Sequence, residues 1–291
     1  MIISLRESYR LSRRAEKDSW AEGSDRTGHG AHGLSDSLRE FRADLHIHSA
    51  LSPCASLDLS PRKIVDAAQS AGLDIIAITD HNSAGNVDPI IRLGKRAHLN
   101  VFPGMEVQSR EEIHLLTLFP DGPSIASWNE EVRRSLPMIR NDPEIFGYQP
   151  ILDEEGNILG FEDRLLLNST SFSMREIHQK VRARGGITIA AHFDKASFSL
   201  MSQLGIIPLD MELEALEISR AARGAGRGSR GERAASFPSI ASSDAHEVRE
   251  IGLGYTVFLL AAPTLDELRL AFRGQQGRRI VQTVIDGEKI S

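Results

Sequence analysis

Six of the ten histidines fall in short motifs that also carry acidic residues, and several of these motifs close short β-branched, apolar runs. Asp44-Leu45-His46-Ile47-His48 comes first and Thr79-Asp80-His81-Asn82 second. Gly104-Met105-Glu106 and Glu112-Ile113-His114 follow, then His192-Phe193-Asp194, and Ser243-Asp244-Ala245-His246 closes the set. An Asp or His at the end of an apolar strand is costly unless it is paired or binds metal. Imidazole and carboxylate together select borderline and hard divalent ions such as Zn, Mn and Fe. One His-x-His pair says little, because alternation along a strand points both rings to one face anyway. A whole series of such groups near strand ends demands a fold that gathers those ends in one place.

The intervening sequence supplies such a fold. Ser60-Pro61 reads as an N-cap with Pro at the first helical position, and Gly72 stops that helix. Asp74–Thr79 reads as a buried strand, 87–97 as a helix, and 100–103 as a short strand leading to Glu106. A strand over 113–119 and a helix over 124–136 come next. After an interruption, the same order returns with a helix over 173–184, strands at 187–191, 213–219 and 238–242, then a strand at 253–260, a capped helix at 264–273 and a last strand at 279–284. Alternating βα units imply a parallel sheet. Ligands at the ends of several successive strands favour a barrel over an open sheet with one crevice. Residues 42–291 also match the roughly 250 residues typical of such barrels. The interruption, near 140–170, reads as a hairpin insertion turning at Glu154-Glu155-Gly156-Asn157. Residues 1–41 have no periodic apolar face and read as a disordered N-terminal tail.

Composition narrows the class further. No apolar run approaches the roughly 18 residues of a membrane span. A single cysteine, Cys54, excludes an internal disulfide framework and fits a reducing compartment, so a cytoplasmic location is expected. The net charge of −6 gives no global attraction to nucleic acid. Local metal ions and a few Arg or Lys residues can still hold a phosphate against such a background. That leaves room for a small phosphorylated substrate or short nucleotide as partner, with no membrane and no obligatory protein partner expected.

In this order, Asp44/His46/His48, Thr79/Asp80/His81, His192 and Ser243/Asp244/His246 resemble the PHP (polymerase and histidinol phosphatase) superfamily over about residues 42–284. The resemblance implies an α/β fold, a distorted (β/α)7 barrel with the metal site at the C-terminal ends of the strands. It also implies two or three divalent ions (Mn, Zn or Fe) and hydrolysis of a phosphomonoester or phosphodiester by metal-activated water. It implies that His46 and His48 bind a first ion with Asp244, and that Glu106 bridges to a second completed by His114 and His192. His81 and His246 would serve a third. Many members carry an acid shortly after the first motif, where this chain reads His48-Ser49-Ala50-Leu51-Ser52-Pro53-Cys54-Ala55. Cys54 is the nearest replacement, a thiolate being a good ligand for Zn or Fe; a small residue in a turn is the alternative reading.

Other residues take lesser or open roles. Asp44 and Asp80 are expected to orient histidines rather than bind metal. Asp244 and His246 are candidates for passing a proton to the leaving group, and Lys195 for contacting phosphate or else being a solvated lysine. His178 reads as a solvated helix residue and His98 as a helix end. Gly226-Arg227-Gly228-Ser229-Arg230-Gly231 matches GxGxxG but lacks the helix a dinucleotide fingerprint requires. With Arg220 and Arg223 it reads as a basic loop on the substrate side. Two rival functions remain: an amidohydrolase-like hydrolase of C–N or C–O ester bonds, which would not require cations in the pocket, and a non-catalytic metal-binding module, which loss of ligands would mark.

Overall fold

Short, buried strands carry the fold. In the computed structural model, which describes residues 37–208, 212–220 and 234–290, Ile75–Ile78 (β2), Ile187–Ala190 (β7) and Ala215–Ile218 (β8) are buried at every position. Strands buried on both faces lose the polar alternation of a surface strand. The remaining strands are Arg39–Ile47 (β1), Asn100–Gln108 (β3), His114–Leu118 (β4), Ser239–Ala241 (β9), Gly254–Leu260 (β10), Arg279–Ile285 (β11) and Glu288–Lys289 (β12), with Pro150–Leu152 (β5) and Ile158–Phe161 (β6) forming a separate antiparallel hairpin. The hairpin lies within the interruption read from sequence. The first strand starts at Arg39, inside the expected tail; residues 1–36 lie outside the described residues.

The main sheet runs β12-β11-β10-β1-β2-β3-β4-β7-β8-β9. Pairs β1–β2, β2–β3, β7–β8 and β8–β9 are parallel. Pairs β3–β4, β4–β7 and β1–β10 are antiparallel. The all-parallel order expected from the sequence is therefore replaced by a mixed α/β fold on a curled sheet. The physical reason is the short connection over 109–113, since a parallel crossover needs about a dozen residues or more. The far ends of the curl approach each other at Thr256 of β10, whose Oγ1 donates to the Ala241 carbonyl and accepts from the Ala241 N–H of β9, both at 2.9 Å. Gly254 permits this approach, because a Cβ there would lie 2.1 Å from the Ser242 carbonyl oxygen.

Helices cover the outer face. Pro61–Ser70 (α1) and Val87–Arg96 (α2) bury Ile64, Val65, Ile90 and Leu93 against Ile47, Ile76 and Ile78. Gly122–Ser135 (α3) and Met174–Arg182 (α5) bury Trp128, Val132, Ile177 and Val181 against Met105, Val107 and Leu115. The short helices Pro143–Phe146 (α4) and Leu200–Leu204 (α6) sit in connections, and Leu265–Phe272 (α7) packs with Phe258 and Leu260. Ser173 caps α5 with a reciprocal Glu176 contact, and Thr264 caps α7. His178 corrects its sequence reading. It shares the inner face of α5 with Met174, Ile177 and Val181 and is 8% exposed. Among the described residues, no helix is long and apolar enough to cross a membrane.

The inner face of the curl positions the site. Phe41, Ala43 and Leu45 of β1, Phe102 of β3, Leu116 and Leu118 of β4, Ala215 of β8 and Ile240 of β9 share one apolar cluster. Strand alternation then places Glu106 on the face of Phe102, His114 on the face of Leu116, and Glu217 on the face of Ala215. A register shift between Asp44 and Ile47 breaks the alternation of β1. Ile47 turns out toward the α1 cluster while the fully buried His46 and His48 join the inner side. Each apolar side chain fully buried below them stabilises this arrangement by about 1.5–3 kcal/mol.

Candidate metal centre

The polar residues converge on one rim. It collects the C-terminal ends of β1, β2, β3, β7, β8 and β9 together with the N-terminal end of antiparallel β4. His114, the first residue of β4, thus reaches the rim by a route that a parallel reading does not provide.

Glu106 is the hub. Its Oε1 lies 2.9 Å from His114 Nδ1, 3.2 Å from His192 Nε2 and 3.4 Å from His46 Nε2. Its Oε2 lies 2.9 Å from His81 Nδ1 and 3.6 Å from His48 Nε2. Glu106 is 1% exposed, and removing a carboxylate from water costs several kcal/mol unless partners compensate. Burial pushes its pKa up, but His114, His81 and His46 outweigh that and hold it well below the ordinary carboxylate range. Gly104, two residues earlier, lies within β3 rather than in a turn. A Cβ there would meet the Ile78 carbonyl oxygen at 2.9 Å and Leu118 Cδ2 at 2.8 Å.

Asp244 forms the other side. Its Oδ1 lies 3.3 Å from His46 Nε2 and 3.4 Å from His48 Nε2, while Oδ2 accepts from Lys195 Nζ at 3.0 Å. Burial raises its pKa; His46 and His48 overcome this and hold it well below the usual range. Lys195 reaches the site through a tight turn in which its N–H donates to the His192 carbonyl. Burial lowers its pKa and Asp244 raises it, with a net upward shift, so it stays a cation. His192 and Asp244 both have positive φ, 28° and 51°. Such conformations cost of order 1–3 kcal/mol and gather at functional positions.

Hydrogen bonds behind the rings set their orientation. His46 Nδ1 contacts Glu217 Oε2 at 2.9 Å, and the same oxygen accepts from the His192 N–H at 2.9 Å. His48 Nδ1 contacts Ser52 Oγ at 2.9 Å; that hydroxyl donates to Asp80 Oδ1 at 2.6 Å, so it accepts from the ring. His246 Nδ1 donates to the Asp244 carbonyl at 2.8 Å. Each contact puts the proton on Nδ1 and leaves the Nε2 lone pair for the site, a tautomer assigned from partners. Asp80 thus acts on His48 through Ser52. Asp44 accepts from the Ser243 and Gly252 N–H groups at 2.9 and 3.0 Å and so places the Asp244 turn. Burial pushes Asp44 up to about 6 despite these bonds.

Glu217 is the functional residue that sequence reasoning missed. The Cys54 side chain is exposed but interacts with His81 and His246. Partial enclosure raises its thiol pKa; hydrogen bonding to His246 and then His81 outweighs this and brings it to about 6. Burial opposes and Glu106 drives the rise of His81 to about 10, whereas burial holds His48 well below its ordinary value. Arg220 faces the same cleft as Lys195, Ser219, Ser242 and Asp244 and pairs with Asp286 and Glu250. Arg223, Arg227, Arg230 and the GxGxxG segment lie outside the described residues.

The donor set fits divalent ions. Among the described residues, His46/His48/Asp244, His81/Glu106/His114 and His48/His81/His246 each bring ligating atoms within 4.8 Å of one another. His46 Nε2 and His48 Nε2 are buried without hydrogen-bond partners, a costly arrangement for ring nitrogens that engage nothing.

A curled α/β sheet with a rim of imidazoles around a buried carboxylate defines a metal-binding protein of hydrolase type. The chain belongs to the PHP family, whose members are metal-dependent hydrolases: residues 44–200 match the PHP domain and residues 230–276 the PHP-associated segment. Its fold is similar to that of the lesion-specific endonuclease Q of Pyrococcus furiosus, with a TM-score of 0.64 and 19% identity over 84% of this chain and 58% of that one. It is likewise similar to endonuclease Q in complex with a 27-mer duplex bearing an abasic lesion at the active site, with a TM-score of 0.63 and 19% identity over 84% of this chain and 59% of that one. The chain thus spans less than two thirds of these proteins. No curated protein matches it.

Proposed function

We propose that this chain is a metal-dependent phosphoesterase and that a phosphodiester of a nucleotide or nucleic acid is its substrate. The observation that carries the reading is Glu106, buried among five imidazoles and facing Asp244 across His46 and His48. His46, His48 and Asp244 would hold one divalent ion, Glu106, His114 and His192 a second, and His81 with His246 would serve a third where one is bound. Divalent ions held there supply Lewis acidity, which acidifies water and neutralises charge building on phosphoryl oxygens.

The chain's own residues supply the rest. Lys195 and Arg220 line the cleft beside Asp244 and give it the cations that a phosphate needs and a carbonyl substrate does not. This favours phosphoester over amide hydrolysis. Lys195 binds a non-bridging oxygen, exchanging part of its contact with Asp244 for the substrate. When no third ion is bound, His246, at the exposed side of the rim, is free to take up a proton at Nε2 and pass it to the leaving oxygen. The fold it shares with endonuclease Q, and that protein's duplex complex, support the diester over the monoester.

The test is hydrolysis of a panel holding aryl phosphomonoesters, aryl phosphodiesters and oligonucleotides with and without abasic sites, under added Mn, Zn or Fe. Metal-dependent cleavage of diesters by the native chain and none by Asp244→Asn is expected. Cleavage of monoesters alone would overturn the substrate class, and no cleavage by metal-loaded protein would overturn the activity.

A further inference from the structure

The loop between β7 and α6 presents an aromatic residue that the metal centre does not use. Both ends of the loop are anchored. The Phe193 N–H donates to the Glu217 carbonyl at 2.8 Å, and Ser199 Oγ donates to the Lys195 carbonyl at 2.6 Å. Between them, Asp194 Oδ1 accepts from the Ser219 N–H at 2.8 Å, and the Phe198 carbonyl accepts from the His114 N–H at 2.9 Å. Fastened in this way, the loop holds Phe198 at a φ of 53°, a left-handed conformation that is an outlier for a bulky side chain. The Phe198 ring stacks on the His114 imidazole with centroids 5.0 Å apart and planes inclined by 11°, yet the residue stays 41% exposed. A ring that only filled core space would be buried, as Phe193 of the same loop is. Backbone strain gathers at ligand clamps, and here it sets an exposed aromatic ring against a candidate metal ligand.

We infer that Phe198 is the base-stacking residue of the site, receiving an unpaired nucleobase of the substrate and so selecting single-stranded nucleic acid. The inference rests on the phosphodiester reading above. A phosphate held at the ion of His114 brings its attached nucleoside beside this ring. Lys195, in the same loop, donates to Asp244 and lines the cleft. One anchored loop therefore offers a cation for the phosphate and an aromatic face for the base. Single-strand sites combine these two elements, and stacking tolerates any sequence because every base has a π-face. A base inside a duplex is already stacked on its neighbours and must leave the stack before it can offer a face. The phenyl ring has no hydrogen-bonding group, so it detects that a base is present rather than which base it is.

The experiment titrates the full metal-loaded chain into two short, end-labelled single strands with cleavage-resistant phosphorothioate links. One carries 2-aminopurine, whose fluorescence stacking quenches, and the other is abasic at the same position. The native chain should quench 2-aminopurine and bind the base-bearing strand more tightly. Phe198→Leu keeps an apolar side chain on His114 and the same backbone strain. It should lose the quenching and weaken binding of that strand by roughly 5- to 150-fold, with the abasic strand and the bound metal unchanged. Phe198→Trp should restore both signals. Equal affinity of the native chain for the two strands overturns the inference. So does equal weakening of both strands by Phe198→Leu, which would mean that the ring only covers His114. Phosphodiester cleavage by the native chain separates the two readings: binding that depends on Phe198 without cleavage overturns only the proposed activity, and cleavage without base discrimination overturns only the role of Phe198.

Discussion

Glu217 Oε2 sits 2.9 Å from His46 Nδ1 and also accepts the His192 N–H, so one buried carboxylate holds two candidate ligands, one in β1 and one just past the end of β7. It stands behind the rings, touching no expected metal position. Partners of this kind fix the tautomer and raise the basicity of an imidazole ligand. Burial works against a high pKa for His46, but Glu217, Asp244 and Glu106 together lift it well above its ordinary value.

Glu217→Gln should therefore weaken metal binding by about 10- to 100-fold, the usual effect of losing such a partner, while the protein stays folded. Competition with a chromogenic chelator reads the affinity, and unchanged affinity would make Glu217 a mere core hydrogen-bonder.

The sequence announced the candidate ligands on strand ends because Asp and His at the close of apolar runs are conspicuous. Glu217 was hidden because it lies within a short buried strand with no histidine beside it; its one signal was a carboxylate at an inward position among Ala215, Leu216 and Ile218. The direction of β4 was legible in principle. Residues 109–113 are too few for a crossover, and weighing that loop length against the βα rhythm would have predicted the antiparallel pair. His178 was equally readable, at four residues from Met174 and three from Val181 on the apolar stripe. The curl itself depends on contacts between distant segments, such as Thr256 with Ala241, which no local pattern encodes.

Metal removal should expose a pH dependence with a definite sign. In the metal-free protein His81 is raised to about 10 from an ordinary value of 6.5. Its contribution to stability is fully present below pH 6.5 and is lost as pH rises toward 10. Chelator-treated protein should then melt at falling temperature across that window. Because metal must displace this proton, binding near neutral pH should release protons and tighten as pH rises. Calorimetry in buffers of different ionisation enthalpy checks the release, and a pH-independent affinity between 6.5 and 9 would contradict the assignment of His81 as a ligand.

Gly254→Ala should destabilise the closure of the curl. The new Cβ would fall 2.1 Å from the Ser242 carbonyl oxygen and 2.9 Å from the Ser243 nitrogen, both backbone atoms that no rotamer change can move. A loss at or above the 1–3 kcal/mol typical of overpacking is expected in denaturant unfolding. Gly160→Ala, with nothing within 4 Å of the new carbon, is the control and should stay within about 0.5 kcal/mol. Equal effects at the two positions would show that backbone propensity rather than the close approach governs.

Lys195→Met tests the cation beside the metal centre. Its Nζ donates to Asp244 Oδ2 at 3.0 Å, yet the side chain is 42% exposed and lines the open cleft. A purely structural lysine would matter through Asp244, so its loss would change metal affinity. A phosphate-binding lysine would instead raise KM for a phosphodiester. Hydrogen bonds to charged groups contribute about 1.5–3 kcal/mol, or roughly 10- to 150-fold. We expect kcat/KM to fall within that range while bound metal stays constant. A parallel loss of metal and activity would assign Lys195 to holding Asp244 in place.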